Sequence, residues 1–267
     1  MLSVTQVETL VRDPYAIYAQ KVLGLRPLDP LGQAPDALAR GSAIHGALEA
    51  FLAATEGELP PDARAVFEQE IRAALAEAAP WPAVRAIWTA RLDRAAEWFL
   101  AEERTRRSRA SPAAREIRGR LELDGLDGPF ALTARADRID RDEAGAYAIY
   151  DYKSGGVPSA RQAAEFHLQL PLEAAIAEAG GFAPLPPSPA SHLELIGIGA
   201  RKTLTLQPDV AQTLARLRAF IGAYQDARLG YVARLRPSRL GHAGDYDHLS
   251  RWGEWSDGDP PEETPWD

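Results

Sequence analysis

Near Arg115 the hydrophobic rhythm of the chain changes, and that change limits the folds open to it. Before this point the apolar residues keep helical spacing. Val4, Val7, Leu10 and Val11 follow Ser3, a residue suited to cap a helix, and a second stripe runs from about Asp36 through Ala39, Ile44, Leu48 and Phe51. Beyond Pro60 and Pro61, an Ala- and Glu-rich run predicts a helix over about 62–79. Trp88, Leu92, Ala96 and Phe99 share one face of another over about 82–106. After Arg115 the segments 115–123, 130–141 and 146–153 are short and alternating, separated by Asp124-Gly125, Gly128-Pro129 and Glu143-Ala144-Gly145. That pattern predicts a three-stranded meander of hairpins.

A helix over about 159–178 follows, ended by Gly180-Gly181, and a proline-rich loop, PLPPSPAS, leads to a strand at about 192–199. A helix from Asp209 to about Arg228 is the last regular element. The expected class is α/β: a mixed central sheet flanked by helices, in one domain over 1–252, with a helical entry region (1–110) and an αβ core (115–230). The acidic, proline-rich stretch 253–267 has no period and is expected to be irregular and mobile. At 267 residues and 46% hydrophobic, the chain is large enough to bury a sizeable core.

With no cysteine, the chain has no disulfides, thiolate metal sites, iron–sulfur ligation or cysteine nucleophile. Its N-terminus, with Glu8 and Asp13 and no long apolar run, predicts neither a signal peptide nor a membrane span, so the expected location is cytoplasmic. A formal charge of −8 argues against coating nucleic acid through a bulk positive field. Two local arginine clusters remain: Arg104, Arg106, Arg107, Arg109, Arg115, Arg118 and Arg120, and then Arg234, Arg236 and Arg239. Solvated surface is the plainer reading of both. Trp81, Trp88 and Trp98 accompany a helical apolar pattern and are expected in the core rather than as base-stacking platforms.

The segment AYAIYDYKSG carries the chemistry. Strand alternation puts Asp151 and Lys153 on the face shared by Tyr147 and Ile149, and Ser154-Gly155-Gly156 ends the strand at once. The chain has 27 arginines and only three lysines, so Lys153 looks chemically specified rather than one cation among many. A compact ammonium can sit beside an attacking water or a phosphorane oxygen, which a guanidinium fork does poorly. Asp137 stands fourteen residues before Asp151, on the preceding strand, where a hairpin can bring the two carboxylates together. Two carboxylates can share a hard divalent cation such as magnesium. Glu116 is a further acidic candidate near the start of the first strand, while His167 and His248 are read as structural or exposed.

Asp137 followed by Asp151-Tyr152-Lys153 resembles the D…(D/E)XK signature of the PD-(D/E)XK nucleases, and the surroundings resemble the RecB-like branch. Gly41-Ser42-Ala43-Ile44-His45 is similar to that branch's helical G-x-x-x-H segment, and Ala136-Asp137-Arg138-Ile139-Asp140 to its G-x-x-D-R-[IV]-D strand. Gln169 matches the glutamine of its Q-x-x-x-Y helix, with Glu173 where the tyrosine would stand. Ser3, Thr5, Val7, Pro14, Tyr15 and Tyr18 match the entry helix, so the resemblance spans about 1–252. It is nearest in flavour to the C-terminal nuclease domains of AddB subunits in AddAB helicase–nucleases, domains that end much longer chains.

The resemblance implies a restriction-endonuclease-like core and metal-dependent hydrolysis of DNA, with exonuclease action favoured over endonuclease. It implies His45, Asp137, Asp151 and the Tyr152 main-chain carbonyl as ligands of Mg²⁺ or Mn²⁺, with Lys153 orienting water and Gln169 touching the substrate. It further implies single-stranded DNA ends as substrate, arginines of the 104–120 stretch as guides for the strand, a helicase subunit as partner, and a role in double-strand break repair and recombination. Asp13 stands where iron–sulfur-bearing relatives place their first cluster cysteine, so packing and hydrogen bonds must pin the N-terminal helix to the C-terminal region. The rival reading is a catalytically silent DNA-binding or scaffold module of a helicase assembly. A small-ester phosphatase is disfavoured, since the chain has no Gly-rich phosphate loop.

Overall fold

The Ser3 side chain accepts the Gln6 backbone N–H while the Gln6 side chain accepts the Ser3 N–H, a reciprocal cap that starts helix α1 (Val4–Arg12). Asp13 then caps α2 (Pro14–Lys21), whose first residue is a proline that needs no hydrogen-bond partner there. The computed structural model describes residues 1–27, 37–235, 244–252 and 254. Three longer helices follow: α3 (Ala37–Ala54), α4 (Ala63–Ala78) and α5 (Pro82–Arg107). They meet around Phe51, Phe67 and Phe99, whose ring centroids lie 5.2–6.0 Å apart.

The sheet has six strands: β1 (Leu2–Ser3), β2 (Ala110–Leu123), β3 (Phe130–Asp142), β4 (Tyr147–Lys153), β5 (Ala190–Gly197) and β6 (Lys202–Leu206). Its order is β1-β3-β4-β5-β6, with β2 along the other edge of β3. The β2–β3 and β3–β4 pairs are antiparallel hairpins. The β4–β5 pair is parallel and needs a crossover, supplied by α6 (Ala160–Phe166) and α7 (Gln169–Glu178). Helix α8 (Val210–Gln225) closes the chain of regular elements. The architecture is mixed α/β with helices on both faces of a mixed sheet, consistent with a restriction-endonuclease-like fold.

Each face has its own core. Tyr147 and Ile149 of β4 pack with Val7 and Leu10 of α1, Leu170 and Ile176 of α7, and Phe220 of α8. Ala148, Tyr150 and Tyr152, the alternate residues, join the helices α3 to α5. The alternation expected of β4 is therefore observed, and it sends Asp151 and Lys153 toward the α1–α7 side.

Several boundaries differ from the sequence reading. The first strand of the meander begins at Ala110, because a register shift between Pro112 and Ala114 lets the chain pass a proline and continue pairing. Glu116 is consequently mid-strand. The expected single helix over 159–178 is two, broken at His167-Leu168, where the Glu8 carboxylate accepts the N–H groups of Leu168 and Gln169 at 2.8 and 3.1 Å. The two-residue β1 and the edge strand β6 were not anticipated, being too short for periodicity to register. The sequence between 253 and 267, apart from Glu254, lies outside the described residues, as do Arg236 and Arg239. Among the described residues no helix is long and apolar enough to cross a membrane.

Candidate active site

The site begins with a distortion in the central ribbon. Arg115 pairs with Arg138 and Ile117 with Ala136, but between these rungs Glu116 adopts φ +45°, a left-handed conformation that L side chains rarely take. Beyond it β3 and β4 part company: their pairing starts only at Arg138–Tyr150. The Asp137 carboxylate fills the gap, accepting the backbone N–H of Tyr152 at 2.8 Å in place of a strand partner. Asp137 is thereby fixed beside the end of β4.

Helix α3 covers this opening. His45 Nδ1 lies 3.4 Å from Asp137 Oδ1, and the main-chain carbonyl of Tyr152 also faces the imidazole. One turn earlier on the same helix is Gly41, where a Cβ would meet nothing within 4 Å, so the helix face leading to His45 is open. Ligand atoms of His45, Glu116 and Asp137 all lie within 4.8 Å of one another. One imidazole and two carboxylates at that spacing suit a divalent cation with mixed nitrogen and oxygen ligands.

Asp151 adjoins that trio, close enough for its charge to act on His45 and for Asp137 to act on it. Its side chain is 3% exposed and Lys153 Nζ stands 2.7 Å from Oδ2. Burial pushes the Asp151 carboxyl up to about 6, with the Lys153 charge pulling down and the Asp137 charge pushing up. Burial would lower Lys153, but the Asp151 carboxylate more than offsets this, and Glu8 and Asp137 add to it, so the ammonium is raised above its usual range. For His45 the same contest has the same winner. Burial favours the neutral ring, while the Asp137 hydrogen bond and charge, Asp151 and the Tyr152 carbonyl raise its pKa. Glu116 is raised by burial and by Asp137, although Arg135 sits 2.7 Å away.

Every carboxyl shift here has burial as its leading cause and a neighbouring acid reinforcing it. Groups so arranged are poised to receive positive charge. The donor set therefore fits the divalent metal that the sequence implied, with Glu116 added to it and Asp151 adjoining through Lys153 and Asp137.

A family model for the PD-(D/E)XK nuclease superfamily matches residues 1–243. The chain belongs to that superfamily. Among curated proteins it is 29% identical over 162 residues to an uncharacterized protein of Rickettsia bellii, covering 61% of this chain and 20% of that protein. It is also 29% identical over 191 residues to an uncharacterized protein of Rickettsia typhi, covering 68% and 22%. The chain thus spans about a fifth of the length of the curated relatives it matches. Among solved structures, that of SSO0001 is similar at TM-score 0.35 and 13% identity, over 80% of this chain and 71% of that one.

In this PD-(D/E)XK chain two acids near the signature residues escaped the sequence reading. Glu173, which replaces the tyrosine of the Q-x-x-x-Y pattern, is fully buried, and its pKa is driven well above the usual range by burial and by Asp151 and Asp137. Gln169 Nε2 donates to it at 3.1 Å. Gln169 is thus tied to an internal acid as well as to the Glu8 cap. Glu8 is the second; besides capping α7 it adds negative charge near Lys153. A lone acid inside the apolar run LPLEAAIA was the available signal for Glu173. Nothing local distinguished Glu8.

The arginine stretch is corrected in part. Arg106 is buried against Glu194, and Arg107 binds Glu103 at 2.6 Å and the Gly57 carbonyl at 2.7 Å, so neither is available to guide a strand. Arg115 pairs with Glu56 and Arg120 with Glu122. His167, expected to be structural or exposed, is half-buried, and its pKa is pushed down to about 4 by burial and by the charges of Arg12 and Lys153. Trp88 is in the core as expected and Trp98 packs against it.

Proposed function

We propose that the chain is a divalent-metal-dependent deoxyribonuclease that hydrolyses phosphodiester bonds at the site of Asp137, Asp151 and Lys153. The observation that carries this reading is their convergence: Asp137 hydrogen-bonds the backbone of β4 between Asp151 and Lys153, and the latter two are 2.7 Å apart. His45, Glu116, Asp137, Asp151 and the Tyr152 carbonyl would hold Mg²⁺ or Mn²⁺. Such an ion supplies a Lewis acid for the phosphate and a more acidic bound water.

The chain's own groups do the rest. Lys153, kept cationic by Asp151, donates toward the attacking water and toward the oxygens of the phosphorane as their charge grows. Asp151, buried beside Lys153, holds the ammonium in place at the end of β4. Gln169 and the N-terminal turn of α7, steadied by Glu8, border the substrate path. In-line attack breaks the bond on the 3′-oxygen side and leaves 5′-phosphate and 3′-hydroxyl ends.

Within the same proposal the nuclease is AddB-like and cytoplasmic. It acts as an exonuclease on single-stranded ends that a helicase partner delivers during double-strand break repair. The greater length of the relatives supports a working context with further domains. The test is incubation of end-labelled single- and double-stranded DNA with wild type, Asp151→Ala and Lys153→Ala, with magnesium or with EDTA. Wild type should cut only with metal, and Lys153→Ala should be slower by about 100-fold or more. Equal cutting by Lys153→Ala would remove that lysine from the mechanism.

A further inference from the structure

Where β4 ends, the chain borders a second feature on the α3–α5 side, a cavity of about 310 Å³. Arg40 of α3, Arg91 and Arg94 of α5, and Arg201 of the turn between β5 and β6 line it, and no aspartate or glutamate does. In a chain of charge −8, only about half of the described arginines are paired with acids. Among the described residues none of these four has a carboxylate within ion-pair distance, as is also true of Arg85, Arg104, Arg109 and Arg118, and what sets the four apart is that they line one space. The Arg40 Nε is shielded from solvent with no hydrogen-bond partner, and Arg94 Nε reaches only the Ala90 carbonyl of its own helix, at 3.1 Å. An anion that entered this space would meet all four positive charges and no negative one from its lining.

The wall that brings Arg201 here is built for close approach. A Cβ on Gly199 would lie 2.8 Å from the Ser154 carbonyl oxygen, so only glycine lets the turn after β5 press against the loop after β4. Arg201 itself is held at φ +53°. The floor, from Ile44, Trp88 and Ile198, is apolar. A cationic rim over an apolar floor, at the small end of the usual range for ligand pockets, suits a single nucleotide. Two of its lining residues are chain neighbours of the active site: Ile44 precedes His45, and Ser154 follows Lys153.

We propose that this cavity is a phosphate-gripping subsite that holds a nucleotide of the substrate strand adjoining the one being cut. The assignment rests on the nuclease reading. The shared chemistry is a nucleic-acid phosphate, either the monoester at a 5′ end or a diester within the strand.

The experiment is fluorescence anisotropy of the full chain in EDTA, with a 12-nucleotide single strand labelled at its 3′ end and carrying a 5′-phosphate or a 5′-hydroxyl. Arg91→Ala/Arg201→Ala should bind at least tenfold more weakly than wild type. The slope of log affinity against log salt should flatten by about 1.4, the worth of two single-strand phosphate contacts. Arg161→Ala/Arg228→Ala, which removes the same charge from exposed positions elsewhere, should change binding less than threefold. A 5′-phosphate preference that disappears in the pocket variant identifies a strand end as the occupant, and equal loss on both oligonucleotides identifies an internal phosphate. Equal weakening by the two double variants, or none by the pocket variant, overturns the proposal. Asp151→Asn should bind without cutting. A wild type that cuts DNA while the pocket variant binds normally defeats the pocket alone, whereas a wild type that never cuts with metal defeats the nuclease reading.

Discussion

At Glu173 a carboxyl group sits wholly out of water in α7, with Oε1 taking the Gln169 amide and Oε2 taking no hydrogen bond. Burial, then the charges of Asp151 and Asp137, hold its pKa well above 4.5. The sign follows directly: the folded state keeps a proton that the unfolded chain gives up, so this group favours folding below about pH 4.5 and opposes it as the pH climbs. Glu173→Gln keeps the shape and removes the titration. In EDTA at pH 8, urea unfolding should find Glu173→Gln more stable than wild type. The gap should close toward pH 4.5, and a gap that does not vary with pH would mean the carboxyl is ionised in the fold. Asp137, Asp151, Lys153 and His45 were legible from sequence because a motif names residue types in order. Glu173 was not, because its role depends on which helix face turns inward.

Among the elements, the ribbon of β2 and β3 decides whether a site exists. Its ladder passes from Arg115–Arg138 to Ile117–Ala136, and Asp137, which lies just beyond the last β3–β4 rung, takes the Tyr152 N–H on its carboxylate. The left-handed Glu116 between those rungs costs about 1 kcal/mol or more. Glycine ordinarily weakens a strand relative to alanine, yet at φ +45° the order should reverse. Glu116→Gly is expected to be more stable than Glu116→Ala by about 1 kcal/mol in matched urea titrations, both having lost the Arg135 partner. Alanine equal to or better than glycine would show that the kink is imposed by its surroundings without backbone strain. The strands themselves were predictable from alternation and glycine-bearing turns. The kink was not, since glutamate gives no hint of a positive φ.

On the scale of the whole molecule, the N-terminal and C-terminal segments meet without a cluster or a disulfide. Asp13 accepts the backbone N–H of Arg234 at 3.1 Å and caps α2, while Tyr15 N–H donates to the Val232 carbonyl and the Tyr18 and Tyr231 rings lie 5.4 Å apart. Arg234 pairs with Asp247 at 2.8 Å and lies over the Trp252 ring, and the Tyr246 hydroxyl donates to the Leu25 carbonyl. Hydrogen bonds and stacking thus hold the two segments together. Asp13→Ala removes the cap and the tether together and should cost about 1–2 kcal/mol. Limited trypsin digestion should then cut at Arg234 at least tenfold faster than in wild type; an unchanged rate would show that Asp13 does not hold the two segments together.

The sequence by itself determined the order of the longer helices and of the strands β2 to β5, the absence of thiol chemistry and the identity of the signature residues, because periodicity, turn residues and motif spacing are local properties of the chain. Only the tertiary structure decided that Glu116 and Glu173 join the acids, that Arg106 and Arg107 are internal supports, and that four unmatched arginines from three separate segments face one cavity. These depend on which faces meet across the sheet, and hence on packing and electrostatics between residues that are distant in the chain.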